Sequence, residues 1–386
     1  MESSLRWDIF CNVVDHFGDI GVSWRLARQL HRFHGMRVRL HVDDLDTFHA
    51  LCTAVDPRAA VQEVDGITVL RWTRELTYDS VGDVVIDAFG SKAPDPYLEL
   101  MARRPRPPVW INLEYLSAED WIEDCHRAPS PHPRLPLVRY FFFPGFSDRT
   151  GGLLEEPTLA ADRAAFLGSP SDRTAVWESW RAGPPAEPGT PVVSLFGYGG
   201  PAVPTLLEAW AGGSEPLCVL VPQGRIVPDV ARFFGRASAQ AGERFDAGVL
   251  DVRILPFRSQ DDYDRLLWLS DCNFVRGEDS FVRAQWAERP FVWNIYAQEG
   301  GAHWAKLHAF IDRYGAGLEP EVSAAVREFW RLWNRGETSS DVLGKAWRRF
   351  WAHAEELRAH NAGWAASQRN HRDLVTNLVR FMVERL

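Results

Sequence analysis

The chain predicts an α/β protein built from two parallel-sheet units, and three observations carry that expectation. Short apolar runs alternate with segments of helical periodicity, the pattern of strand–helix–strand crossovers. At 386 residues the chain is long for one core and ordinary for two. The alternation lapses over 151–190, where PPAEPGTP (Pro184 to Pro191) reads as a linker, and resumes at Val192. The expected division is 1–189 with the linker near 151–190, then 190–365, then a last helix over 366–386.

In chain order, the strand candidates of the first half are Leu5 to Val14, Arg37 to Val42, Ile67 to Arg71, Val81 to Ala88 and Val109 to Leu113. After the first of these, Val22, Leu26, Leu30 and Phe33 recur at helical spacing, with Arg25, Arg28 and Arg32 on the opposite face. The aromatic run Leu135 to Phe146 reads as a buried strand, although its end and Thr150-Gly151-Gly152 could also line a cleft. In the second half the strands are Val192 to Phe196, Cys218 to Val221, Val249 to Leu255, Asn273 to Val275 and Pro290 to Asn294. Helices are expected near Thr205 to Trp210, Asp262 to Ser270 and Phe281 to Ala287, and the final hundred residues read as helical. No repeat of solenoid period is present.

Composition narrows the function classes. With 46% hydrophobic residues, 17 Trp and 22 Phe, the chain can bury substantial cores. A formal charge of -9 argues against a non-specific nucleic-acid binder, which needs a basic face, and would suit a cationic partner. The five cysteines are scattered without a CxxC pair, as for reduced thiols in a cytosol. Cys125, His126 and His132 match no standard metal spacing. Neither a signal peptide nor a membrane-length apolar run is apparent, so a cytoplasmic protein without membrane association is expected.

Three loops carry chemistry. NVVDHFGDIGVSWRLARQL (Asn12 to Leu30) sets Asp15, Gly18, Asp19 and Gly21 in the turn between the first strand and its helix, where open α/β sheets bind ligands. Asp19 can be read as a helix N-cap or as a reactive carboxylate; Asp15 lies too far before the helix to cap it. The spacing is not G-x-G-x-x-G, which disfavours a nicotinamide oxidoreductase. SLFGYGGP (Ser194 to Pro201) is a glycine-rich turn flanked by Phe196 and Tyr198. NFVRGEDSFVRAQW (Asn273 to Trp286) leads from a strand through Arg276, Glu278, Asp279 and Ser280 into a helix. Its helix start and arginine could hold a diphosphate, or Asp279 or Ser280 could simply cap the helix. Phe257, after Leu255-Pro256, is either an apolar plug or a stacking surface for a base.

These motifs, with YFFFPGF followed by TGG and with LPF, in this order from near the amino terminus to about Gln298, resemble the bacterial elongation factor P arginine rhamnosyltransferase (EarP) family. The resemblance implies a GT-B glycosyltransferase fold, two Rossmann-like domains facing a central cleft, with the last helix crossing back to the first domain. It implies inverting transfer of L-rhamnose from dTDP-β-L-rhamnose to an arginine of translation elongation factor P, which activates that factor for ribosomes stalled at polyproline. No cofactor or metal is implied. Asp15 and Asp19 match the family's acidic pair. Phe196, Tyr198, Phe257, Gln260, Arg276, Glu278, Asp279, Ser280 and Tyr296 match its donor-site positions. Catalytic roles are expected for Asp19, Asp15 and Glu278, and substrate contacts for the other donor-site residues and for Asn12, Phe17 and Gly18 of the first motif. Competing readings are a GT-B enzyme with another acceptor, a non-catalytic binder of elongation factor P, and a nucleotide-sugar epimerase.

The acceptor's chemistry gives two carboxylates a use. Full deprotonation of a guanidinium by an ordinary carboxylate, across about nine pKa units, would cost roughly 12 kcal/mol before any bond formed. Asp19 is therefore expected to hold one nitrogen against the anomeric carbon and take its proton as the C–N bond forms, while Asp15 clamps the others. Arg276 and the helix start at Asp279 and Ser280 would receive the leaving diphosphate's charge, Glu278 the deoxyribose 3′-OH, and Phe257 the thymine.

Overall fold

The computed structural model describes residues 5–386 apart from 16, 74, 75, 186 and the side chain of 299. It has two compact units, one of residues 1–157 and 367–386, the other of residues 158–366. The change of unit thus comes at Pro157–Thr158, ahead of the proline-rich stretch that marked it in the sequence.

The first unit runs β1 (Arg6–Cys11), α1 (Phe17–His34), β2 (Arg37–Val42), α2 (Leu45–Leu51), β3 (Val61–Val64), β4 (Ile67–Arg71), β5 (Val84–Ala88), α3 (Asp95–Ala102), β6 (Val109–Leu113), α4 (Trp121–Cys125), β7 (Pro129–Pro131) and β8 (Val138–Phe142). Its sheet order is β3-β4-β2-β1-β5-β6-β8-β7. The six inner strands are parallel, and β3 and β7 close the edges antiparallel. β1 sits at the centre: the chain fills one side from it and then returns to place β5 on the other, so the switch point lies between β1 and β5.

The second unit runs α5 (Leu159–Gly168), α6 (Pro170–Ser179), β9 (Val192–Leu195), α7 (Ala202–Ala211), β10 (Leu217–Pro222), α8 (Val227–Phe233), β11 (Arg244–Ala247), β12 (Leu250–Leu255), α9 (Gln260–Leu269), β13 (Cys272–Arg276), α10 (Asp279–Trp286) and β14 (Phe291–Asn294). The helices α11 (Ala302–Gly315), α12 (Pro320–Arg335), α13 (Ser340–Ala352) and α14 (Ala354–Arg369) follow. The last helix, α15 (Leu374–Val383), belongs to the first unit and packs on α1. The second sheet, β11-β12-β10-β9-β13-β14, repeats the first sheet's plan, with its switch point between β9 and β13.

The tryptophans explain the helical tail. Phe274 of β13 is ringed by Trp210, Phe329, Trp333 and Trp347 at centroid distances of 5.7, 5.9, 5.1 and 5.9 Å. These pin α7, α12 and α13 to the sheet, and each such aromatic pair adds about 0.5–1.5 kcal/mol beyond area burial. On the first sheet, Tyr97, Leu98 and Met101 of α3 cover Phe10, Val85 and Trp110. Polar side chains start several helices. Asp44 accepts from the Thr47 N–H at 2.9 Å, and Asp373 from those of Val375 and Thr376 at 3.0 and 3.1 Å.

Several sequence expectations are corrected. The stretch 151–190 is not plain linker, since it contains α5 and α6. The aromatic run is strand only over Val138–Phe142. The strand candidates Leu5 to Val14 and Val81 to Ala88 shorten to β1 and β5, and the edge strands β3, β7 and β11 were missed because short, polar edge strands lack an apolar signature. Arg25 is not on a solvated face: it is 1% exposed and bonds Glu156 at 3.2 Å, whereas Phe33 is 42% exposed. All five cysteines are free. The His126 and His132 Nδ1 atoms accept backbone N–H bonds from Phe143 and Leu135, and among the described residues no cluster of His, Cys, Asp and Glu could hold a metal. Among them, too, no helix is long and apolar enough to cross a membrane.

Candidate active site

At the switch point of the first sheet, the loop after β1 is built around one carboxylate. Asp19, in the first turn of α1, reaches back to accept the Val14 and Asp15 N–H groups on Oδ2, at 2.9 and 2.8 Å. The hydroxyl of Tyr115 also bonds it. Asp19 thus holds the incoming loop from within the first turn of its own helix. It is 2% exposed. Burial raises its pKa above the ordinary aspartate value despite these hydrogen bonds, and the charge of Asp43 pushes the same way. Asp15 is half-buried and lies over Gly18, whose N–H donates to the Asp15 carbonyl at 2.8 Å. A Cβ at Gly18 would stand 2.7 Å from Asp15 Oδ2, so only glycine leaves that carboxylate its place. Phe17, half-buried, opens the helix.

Three neighbouring strand ends hold this loop, and sequence reasoning named none of their residues. Asp43, after β2, accepts from the Val13 N–H and the Asn12 side-chain amide, both at 2.9 Å. Ser91, after β5, accepts the Asn12 N–H at 2.7 Å across the switch point. Tyr115, after β6, bonds Asp19 and carries the ring of Phe89 at 5.0 Å. Phe89 has φ +55, a left-handed conformation that costs a bulky residue on the order of 1–3 kcal/mol. With Gly90 it turns the chain to deliver Ser91. The one available signal was position: each residue follows the carboxyl end of a parallel strand.

The second sheet carries a site of opposite chemistry in the same place. Arg276, at the end of β13 and 4% exposed, sets its guanidinium 4.7 Å from the ring centroids of both Phe196 and Tyr198, which come from the loop after β9. Tyr296, after β14, meets Tyr198 edge-on at 5.4 Å, so four of the named donor-site residues form one group. The backbone beneath is fixed by the Tyr198 N–H donating to Asn294 at 2.9 Å and the Gly200 N–H donating to Asp229 at 2.7 Å. Gly199, at φ +90, passes so close to Asp229 that a Cβ would lie 2.6 Å from it.

Two rungs align the helices that follow. The Gln260 amide donates to Asp279 at 3.1 Å, and one turn deeper Arg283 holds Asp264 through two bonds of 2.9 and 2.6 Å, both residues buried. These ties set the amino ends of α9 and α10 side by side. Ser280 does not cap α10: its hydroxyl accepts the Arg276 N–H at 3.0 Å, donates to the Arg276 carbonyl, and is met by Tyr263. Glu278 stands at the N-cap position without a side-chain cap bond. Phe257 and Glu278 are each half-buried at this end of the sheet.

Comparison with known proteins places the chain in a family. Residues 7–383 match the family model described as Elongation-Factor P (EF-P) rhamnosyltransferase EarP. The chain is 48% identical to the protein-arginine rhamnosyltransferase of Pseudomonas putida, over 97% of this chain and 98% of that one. It is 45% identical to that of Pseudomonas aeruginosa, over 98% and 99%. A solved structure on EarP-mediated arginine glycosylation of translation elongation factor EF-P superposes with a TM-score of 0.69 at 34% identity, over 99% of this chain and 100% of that chain. A glycosyltransferase from Rickettsia africae shares the fold alone, with a TM-score of 0.55 at 10% identity and coverage of 99% and 98%. The paired Rossmann-like sheets are those of GT-B glycosyltransferases, and the chain belongs to the EarP family of elongation factor P rhamnosyltransferases.

Proposed function

We propose that this protein-arginine rhamnosyltransferase transfers L-rhamnose from dTDP-β-L-rhamnose to an arginine of elongation factor P, in the cytoplasm, by a single inverting displacement. Family membership gives the enzyme class and the acceptor protein; the donor and the residue roles are our reading. The guanidinium nitrogen attacks the anomeric carbon, the C–N bond forms as the C–O bond to the diphosphate breaks, Asp19 takes the nitrogen's proton and dTDP leaves. Asp15 pairs with the remaining N–H groups. The buried Asp19 carboxylate carries this reading: its raised pKa narrows the gap to a guanidinium, and its bonds to Val14 and Asp15 leave it little freedom to reorganise.

On the donor side, Arg276 takes up charge on the leaving diphosphate, aided by the start of α10. Phe257 stacks thymine, Glu278 accepts from the deoxyribose hydroxyl, and Phe196, Tyr198, Gln260 and Tyr296 shape the pocket for sugar and phosphates. No resident metal or cofactor enters this scheme. The test is intact-mass spectrometry of elongation factor P after incubation with the enzyme and dTDP-β-L-rhamnose. One added deoxyhexose, absent with Asp19→Asn, is expected. No addition, with donor binding retained, would overturn the acceptor assignment.

A further inference from the structure

We infer that Asp43 is a positioning residue for the transfer, holding the acidic loop in register through Asn12 and Val13. The inference rests on the reading of Asp19 as proton acceptor. The loop from Asn12 to Asp15 has a regular element only behind it and ahead of it, so side chains must fix its path. Asp43 supplies two of the bonds, taking the Val13 N–H on Oδ1 and the Asn12 amide on Oδ2, both at 2.9 Å. Ser91 takes the Asn12 N–H from the other side. The next two N–H groups, those of Val14 and Asp15, then converge on one oxygen of Asp19. Four consecutive amides are thus shared among Ser91, Asp43 and Asp19. Releasing Asn12 and Val13 would let Val14 and Asp15 drift, moving both carboxylates relative to a bound guanidinium.

Asp43 also carries charge. Among the described residues, the titratable side chains that interact with Asp19 include Cys11 on β1, Asp43 after β2 and Tyr115 after β6. Among these, Asp43 is an anion that is itself exposed and neutralised by no ion pair among the described contacts. Two substitutions separate its two effects. Asp43→Asn retains an oxygen for the Val13 N–H, and a flipped Asn12 amide can still meet it, so the tether stays and the charge goes. Asp43→Ala removes both.

The experiment is kcat and KM for elongation factor P across pH, with calorimetric donor affinity, for the wild type, Asp43→Asn and Asp43→Ala. Asp43→Ala should lower kcat by roughly tenfold to a hundredfold, the scale of a small misplacement of reacting groups. Donor affinity should stay within twofold of the wild type, about 0.4 kcal/mol at RT of 0.59, and an unchanged circular dichroism spectrum should show that the first unit, which holds Asp43, remains folded. Asp43→Asn should recover most of that kcat, while the acid limb of its pH profile moves to lower pH because a charge that opposes ionisation of Asp19 is gone. Turnover of Asp43→Ala within twofold of wild type, or a kcat in Asp43→Asn no higher than in Asp43→Ala, would overturn the inference. Failure of the underlying reading looks different: Asp19→Asn would then turn over while Asp43→Ala still lost kcat.

Discussion

The two sheets share one plan and differ in what they place at its switch point. In the first unit the loop after the central strand is held by carboxylates and hydroxyls, Asp19, Asp43, Ser91 and Tyr115, and the charge that gathers there is negative. In the second, the loops after β9 and β13 meet as a guanidinium between two rings, Arg276 with Phe196 and Tyr198. An acidic loop suits a cationic side chain, and a cationic one suits a nucleoside diphosphate. Fold supplies the location, and the division into acceptor and donor sites proposed above rests on the residue chemistry at each.

The comparison breaks most visibly at Asp19. Asp19→Asn keeps an oxygen for the Val14 and Asp15 N–H groups and so keeps the loop, yet cannot accept a proton. Transfer should fall by about 10²–10⁴-fold, the usual contribution of a general base, with donor affinity unchanged by calorimetry. On the other sheet, Arg276→Ala should cost about 2.7–4 kcal/mol in transition-state stabilisation, the scale of losing one preorganised electrostatic group. It is read as kcat/KM for the donor; an undiminished value would remove Arg276 from the diphosphate's path.

Smaller changes sharpen the contrast. Gly18→Ala forces the Asp15 carboxylate aside while Asp19 keeps its bonds, because the obstructing atom is the end of a side chain. A displacement of this kind costs about 10²-fold in kcat, and circular dichroism should show an unaltered fold. Phe257→Ala should weaken dTDP binding by about 1–3 kcal/mol, the range for one base stack, and leave turnover at saturating donor nearly intact. The mildest test is pH. Asp19 must be ionised to act and its pKa is raised, so activity should rise with pH through an acid limb above the ordinary aspartate value near 3.9. A limb at or below that value would show that burial does not govern the group.

Much of this was legible in the chain. The central strands, their order of appearance and the loops after β1, β9 and β13 were readable because an apolar run followed by glycine and polar residues, then helical periodicity, has a single simple outcome. Even so, Arg25 was misplaced, because helical spacing gives an angle but not the presence of Glu156 beneath it. The edge strands also escaped because they are short, and the helices α5 and α6 because neither shows a clear amphipathic stripe.

By itself the sequence determined the fold class, the positions of the candidate site loops and, through long ordered motifs, the family. Local chemistry suffices for these, because periodicity, turn residues and motif spacing are written within a few tens of residues. Only the tertiary structure decided how the loops are held. Asn12 meets Ser91 across 79 positions and Asp43 across 31, and the Phe196–Arg276 stack joins strands that are adjacent only after a crossover. Such partners are chosen by strand order and register, which place distant residues within hydrogen-bonding reach, and no local pattern encodes that choice.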